Sequence, residues 1–210
     1  MTLDIRQIMD ASPVMPVLVI KQLEHAVPLA QALYNGGLKV LEITLRTSVA
    51  LDAIAAIKAA LPDAIVGAGT VIDSDTLMAA ERAGAQFFVS PGTNDSLLAA
   101  AKYSQLPLLP GVATPSEAMR LYDQGFTALK FFPAEAAGGV AMLKSIGGPL
   151  PQLDFCPTGG INPLNAADYL ALDNVRCVGG SWMAPQELVE AQQWQAIEDM
   201  ARVAANLRQR

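Results

Sequence analysis

The chain has 210 residues, 52% of them apolar and 16% charged, so it can bury a large core and lacks the composition of a disordered chain. A net charge of −6 with no basic run argues against nucleic acid and anionic membrane surfaces as partners. His25 is the single histidine, which excludes most histidine-based triads and multi-histidine metal sites, so neither a metal nor a cofactor is expected.

No apolar run approaches the roughly 20 residues of a membrane span. Asp4, Arg6 and Asp10 break up the apolar start, unlike a signal peptide, and a cytoplasmic soluble protein is expected. Cys156 and Cys177 sit in apolar strand-like runs and read as reduced, buried thiols.

In chain order, Leu3 to Ala11 reads as a short amphipathic helix and Pro13 to Ile20 as a buried strand. His25 begins the next helical pattern, as a surface helix residue. Ala26, Val27, Ala30, Leu33 and Tyr34 follow at helical spacing, with Pro28 tolerable only in the first turn and Gly36-Gly37 as the stop. The unit then repeats. Strand Val40 to Thr44 leads to helix Ala50 to Leu61. Strand Ala64 to Gly69 leads to helix Ser74 to Ala83, with Ser74 as N-cap. Strand Phe87 to Ser90 leads to helix Asp95 to Tyr103, and strand Leu106 to Pro110 to helix Ser116 to Gln124. Strand Ala128 to Phe132 precedes a helix around Val140 to Ile146, and strand Asp154 to Pro157 a helix from Leu164 to Leu172. Strand Val175 to Val178 precedes a last helix from about Trp194 to Leu207.

Roughly eight strand–helix units of continuously apolar strands predict a single closed (β/α)₈ TIM barrel over residues 1–210, with a short N-terminal helix. An open doubly wound sheet is the alternative, but Gly67-Ala68-Gly69 lacks the third glycine of a dinucleotide fingerprint.

In such a barrel the chemistry sits at the C-terminal ends of the strands. Ala128-Leu129-Lys130-Phe131-Phe132-Pro133 is apolar but for its lysine. Alternation puts Lys130 on one face with Ala128 and Phe132, and Leu129 with Phe131 on the other. Lys130 either snorkels to solvent from the strand end or is buried. A buried ammonium loses hydration, its pKa falls, and the neutral amine can attack a carbonyl. In Val40-Leu41-Glu42-Ile43-Thr44-Leu45-Arg46, the polar residues Glu42, Thr44 and Arg46 share the face expected to point inward. A buried carboxylate needs a partner, and Lys130 is the natural one, whether as a structural ion pair or as a nucleophile beside its general acid/base.

Gly67-Ala68-Gly69-Thr70 offers a hydroxyl at the rim. Ser90-Pro91-Gly92-Thr93 and Pro110-Gly111-Val112-Ala113-Thr114 read as rigid rim loops. Pro157-Thr158-Gly159-Gly160-Ile161 and Gly179-Gly180-Ser181-Trp182 follow the seventh and eighth expected strands. They are either plain turns or a cradle of backbone N–H groups for a phosphate.

Taken together, Leu41-Glu42-Ile43-Thr44-Leu45-Arg46-Thr47, Gly67-Ala68-Gly69-Thr70, Lys130-Phe131-Phe132-Pro133-Ala134-Glu135 and Cys156-Pro157-Thr158-Gly159-Gly160-Ile161 closely resemble the 2-keto-3-deoxy-6-phosphogluconate (KDPG) aldolases. That family is also described as 4-hydroxy-2-oxoglutarate (KHG) aldolases. The resemblance runs from Val14 to about Trp182 with no departure at these motifs. It implies a homotrimer of (β/α)₈ barrels and a metal-free class I aldolase acting on pyruvate and a phosphorylated 2-keto-3-deoxy sugar acid in the Entner–Doudoroff pathway. By motif position Lys130 matches the Schiff-base lysine and Glu42 the proton-transferring carboxylate. Arg46 and Thr70 match residues near the pyruvate carboxylate, and Gly159, Gly160 and Ser181 the phosphate site. Pro91, Phe132, Thr158 and Gly180 complete the expected substrate-binding set. Alternatives are an aldolase for the galactonate epimer, a phosphate-binding isomerase or epimerase without a Schiff base, and a non-catalytic barrel.

Overall fold

The computed structural model describes residues 4–207. Helix α1 (Ile5–Asp10) leads into strand β1 (Val14–Leu18); Leu3, also part of the expected helix, lies outside the described residues. A 3₁₀ turn at Leu23–His25 runs into α2 (Ala26–Asn35), whose first turn accepts Pro28 and whose end is marked by Gly36-Gly37, as expected. There follow β2 (Val40–Thr44), α3 (Ala50–Ala60), β3 (Ile65–Gly69), α4 (Ser74–Arg82), β4 (Phe88–Val89) and α5 (Asp95–Tyr103). Next come β5 (Leu108–Leu109), β6 (Gly111–Val112), α6 (Pro115–Asp123), β7 (Ala128–Phe131) and α7 (Gly139–Gly147). The chain continues through β8 (Asp154–Pro157), α8 (Ala166–Leu170), β9 (Val178–Gly180), α9 (Gln186–Glu190) and α10 (Trp194–Ala205).

The class is α/β with parallel strands, but the expected closed eight-stranded barrel is not formed. Six strands in the order β5-β4-β3-β2-β1-β9 make a curled half-barrel, and β6-β7-β8 form a separate small sheet. Two features account for this. Pro110, the last residue of the expected Leu106–Pro110 strand, stands between β5 and β6; it has no N–H to donate, though its carbonyl accepts from the Lys130 amide at 2.9 Å. Between β8 and β9 the ladder shrinks to isolated bridges, Phe155 with Val175 and Thr158 with Gly179.

Local expectations also need correction. The last strand is Val178–Gly180, three residues later than expected, with Val175 contributing only its bridge. The N-cap of α4 is Asp73 rather than Ser74, because the Asp73 carboxylate accepts from the Thr76 amide at 2.8 Å. α8 begins at Ala166, not Leu164, which is exposed. α9, after Pro185, was not foreseen. His25 is buried rather than on a surface, its ring set edge-on to Trp194 at 5.7 Å. Cys156 and Cys177 are buried thiols, as expected. Among the described residues no helix is long and apolar enough to cross a membrane.

Alternation along the strands divides the core in two. Leu41, Ile43, Leu129 and Phe131 face outward and pack under the helices with Leu33, Ile54 and Leu143. A second, smaller cluster fills the interior at the N-terminal ends of the strands, with Met15, Val40, Phe87, Ala128 and Cys156. Ile8 and Met9 of α1 belong to it and are fully buried, so α1 plugs that end of the interior. Ionic contacts fasten the plug. Arg6 Nε lies 2.6 Å and Arg176 Nε 2.9 Å from Asp154 Oδ2, and Arg176 Nη1 lies 2.7 Å from Asp10.

Candidate active site

At the opposite, C-terminal ends the interior row changes character within two residues. In β7, Ala128 belongs to the apolar plug and Lys130, on the same face, does not. In β2, Val40 belongs to the plug and Glu42 does not. The snorkelling alternative for Lys130 is thereby excluded: its side chain is 7% exposed, that of Glu42 2%, and Lys130 Nζ donates to Glu42 Oε1 at 3.2 Å. These residues are 88 positions apart in sequence, yet they form one buried ion pair. Desolvating two such charges is costly, so the pair is a poor source of stability.

The surroundings shape the pair. Gly111 and Cys156 flank Lys130 in register on the neighbouring strands. The Phe132 ring centroid lies 5.5 Å from Lys130 Nζ, within reach of a cation–π contact. Gly69, at the end of β3, is required for room, since a Cβ there would run into the Glu42 carboxylate.

The remaining sequence candidates are rim residues. Arg46 lies past the end of β2 and is exposed, not inside as its parity with Glu42 suggested; its Nε donates to Thr44 Oγ1 at 3.2 Å. The Thr44 hydroxyl in turn donates to the Leu18 carbonyl at 2.8 Å, so the arginine is held against the strand end. Arg46 and Ser181 line a shared cleft of about 240 Å³ with Leu18, Ala184 and Gln186. Thr70 is half-buried with φ of +60°, the left-handed region that β-branched residues avoid. The Leu45 amide on the Gly69 carbonyl (2.8 Å) and the Val71 amide on the Val89 carbonyl (3.1 Å) hold the backbone on either side. Such a conformation, pinned by its neighbours, is where functional strain gathers. Pro91 packs its backbone against Gly111, next to Lys130 in register.

Thr158 is buried at the end of β8 and its amide donates to the Phe131 carbonyl at 2.9 Å. Because Thr158 bridges Gly179, the turns Gly159-Gly160 and Gly180-Ser181 emerge side by side. Gly159 and Gly160 take φ of +100° and +81°. The Gly160 carbonyl accepts from Asn162 Nδ2 at 3.2 Å and from Asn165 Nδ2 at 3.1 Å. These two asparagines fix the turn and were not singled out from the sequence. The spacing Gly-Gly-Ile-Asn-Pro-Leu-Asn, with asparagine favoured for short side-chain-to-backbone bonds, is the signal that was available. Tyr169 of α8 was missed as well. Its hydroxyl donates to Glu135 Oε1, and burial, followed by this carboxylate, pushes the phenol above its ordinary pKa. The Lys21 ammonium, a second lysine after a strand end, instead lies exposed, 3.2 Å from Glu190.

A buried amine beside a buried carboxylate, below a rim that carries Arg46 and paired glycine turns, can attack a carbonyl and move its protons. The chain is similar to known proteins over nearly its whole length. A family model described as KDPG and KHG aldolase matches residues 5–200. The 2-dehydro-3-deoxy-phosphogluconate aldolase of Pseudoalteromonas atlantica is 54% identical over 95% of this chain and 93% of its own length. The KHG/KDPG aldolase of Escherichia coli K12 is 53% identical over 94% of this chain and 92% of its own. A crystal structure of KDPG aldolase from Legionella pneumophila, with pyruvate captured as a covalent carbinolamine intermediate, superposes with a TM-score of 0.94. It is 49% identical and covers 96% of this chain and 98% of its own. On sequence and fold together, this chain belongs to the KDPG and KHG aldolase family.

Proposed function

We propose that this chain is a class I aldolase that cleaves 2-keto-3-deoxy-6-phosphogluconate to pyruvate and glyceraldehyde 3-phosphate, and 4-hydroxy-2-oxoglutarate to pyruvate and glyoxylate. The observation that carries this is the buried Lys130–Glu42 pair at 3.2 Å. Carbinolamine capture by the Legionella pneumophila KDPG aldolase supports the same chemistry here. Lys130 passes one ammonium proton to Glu42 and attacks the C2 ketone as the free amine; a C–N bond forms, the C=O π bond breaks, and the oxygen takes a proton from the nitrogen to become a hydroxyl. Glu42 delivers the proton with which that hydroxyl leaves as water, giving the protonated imine. The Glu42 carboxylate then takes the C4 hydroxyl proton. The C3–C4 bonding electrons pass into the imine, the aldehyde departs, and an enamine remains. C3 of the enamine recovers a proton from Glu42, and water hydrolyses the imine to release pyruvate. A single carboxylate can serve each step because it already lies within hydrogen-bond reach of the nitrogen.

Arg46 and Thr70 hold the substrate carboxylate, and Pro91, Phe132 and Thr158 border the ketone. Gly159, Gly160, Gly180 and Ser181 seat the phosphate, supported by the bridge that brings their turns together. Anchoring both ends places the ketone at the amine, where proximity is worth most. The family likeness supports a homotrimer and a cytoplasmic, Entner–Doudoroff role.

Borohydride added with pyruvate should leave a stable adduct on Lys130, located by mass spectrometry of peptides. Adduct on exposed Lys21, or none, would overturn the assignment. For the phosphate seat, Ser181→Asp is the cleaner variant, because a side chain at Gly160 would meet Glu135 Cγ at 2.5 Å and disturb the turn by bulk alone. The added like charge should lower kcat/KM for the phosphorylated sugar acid far more than for 4-hydroxy-2-oxoglutarate.

A further inference from the structure

The segment that follows β7 leaves the Lys130 strand and crosses directly over the glycine turn that follows β8. The Ala134 amide donates to the Thr158 carbonyl at 2.8 Å, and the Glu135 amide to the Gly159 carbonyl at 3.1 Å. Beyond these backbone bonds the Glu135 side chain lies across Gly160. Its Cγ and Cβ would be 2.5 Å and 2.8 Å from a Cβ at that position, so the glycine is bare where the glutamate passes. The carboxylate then accepts from the hydroxyl of Tyr169. Tyr169 is fully buried in α8, the helix into which the same glycine turn runs. Glu135 therefore touches three things at once: its own strand's exit, the glycine turn, and the helix behind that turn.

A carboxylate is a poor neighbour for a bound phosphate, since the two repel. Its presence beside Gly160 is tolerable when it is tied down, and a buried tyrosine hydroxyl is a fixed donor that points it away. Burial, followed by the carboxylate, pushes that phenol above its ordinary range, so it stays a donor.

We propose that Glu135 and Tyr169 are a pair of positioning residues: they clamp the Gly159-Gly160 turn to the exit of the lysine strand, setting the distance between phosphate seat and Schiff-base nitrogen. This rests on the phosphate seat proposed above. Neither residue touches the reacting atoms. Their effect is felt by a substrate that reaches both ends of the site, and far less by one without a phosphate.

The test is steady-state kinetics with the phosphorylated sugar acid and with 4-hydroxy-2-oxoglutarate on Tyr169→Phe and Glu135→Gln. Tyr169→Phe removes the donor and releases the charge; kcat/KM for the phosphorylated substrate should fall about tenfold, carried mainly by KM, and by less than twofold for the other. Glu135→Gln keeps an acceptor for the tyrosine, removes the charge, and should retain most of the wild-type value. Equal losses for both substrates in Tyr169→Phe, or no loss for either, would overturn the clamp. So would an equal phosphate-specific loss in Glu135→Gln. Ser181→Asp run alongside separates the two ideas. If it discriminates between substrates while Tyr169→Phe does not, the seat stands and the clamp falls; if neither discriminates, the seat itself is wrong.

Discussion

The two ends of the interior are built from the same strands and could hardly differ more. At the N-terminal ends, Val40, Ala128 and Cys156 meet Ile8 and Met9 of α1 in a dry apolar cluster. Two residues further along, on the same inward faces, stand Glu42, Lys130 and Thr158. One end buries hydrocarbon, which stabilises at about 25 cal/mol per Å². The other buries an ion pair, whose desolvation cost can exceed its Coulombic gain. The lesson is a division of labour along each strand: the plugged end supplies the stability that lets the open end hold a strained Thr70 and two buried charges.

That contrast can be broken most severely at Lys130. Lys130→Met should abolish the borohydride-trapped adduct and reduce aldol cleavage to background. It also strands the Glu42 carboxylate, so urea unfolding should show a loss of about 3–5 kcal/mol. Adding Glu42→Leu should recover that loss, or exceed it by about 1–4 kcal/mol, while activity stays absent. If the double variant is no more stable than Lys130→Met, the open end carries no stability cost and the contrast fails.

Glu42→Gln sharpens the picture by keeping shape and removing the proton acceptor. Turnover should fall by roughly 10²–10⁴-fold in a folded protein. Turnover near the wild-type level would leave Glu42 as only a structural partner of Lys130.

At the plugged end the expected response is reversed. Ile8→Ala should cost about 2–5 kcal/mol of stability, measured by denaturant titration, with kcat/KM for the folded fraction unchanged. A loss of activity without loss of stability would show that α1 reports to the site. The smallest effect is expected from the latch: Asp154→Asn, whose carboxylate is 16% exposed against an Arg6 side chain 34% exposed, should cost about 1 kcal/mol or less. That cost should shrink further in 1 M salt, where charges are screened within about 3 Å.

Much of this was legible locally. Apolar runs bounded by Gly and Pro placed β2 and β8 at their observed limits, and period-two alternation put Lys130 on one face with Ala128 and Phe132, and Glu42 with Thr44 and Arg46 on the face expected to point inward. Both signals need only a few neighbouring residues. Caps were read less well: Ser74 and Asp73 are both good N-cap types, and only the bond to the Thr76 amide decides between them.

By itself, then, the sequence determined the α/β class, the inward placement of Glu42, the face Lys130 shares with Ala128, and the glycine turns at the strand ends, because side-chain periodicity and backbone freedom are properties of short segments. Tertiary structure alone decided that the sheet divides at Pro110 and thins to bridges beyond β8, that His25 is buried against Trp194, and that Arg46 sits at the rim. It also brought together pairs 88 and 34 positions apart, Glu42 with Lys130 and Glu135 with Tyr169. Such contacts depend on how many strands curl, by how much, and where a ladder loses a donor, and no local pattern carries that information.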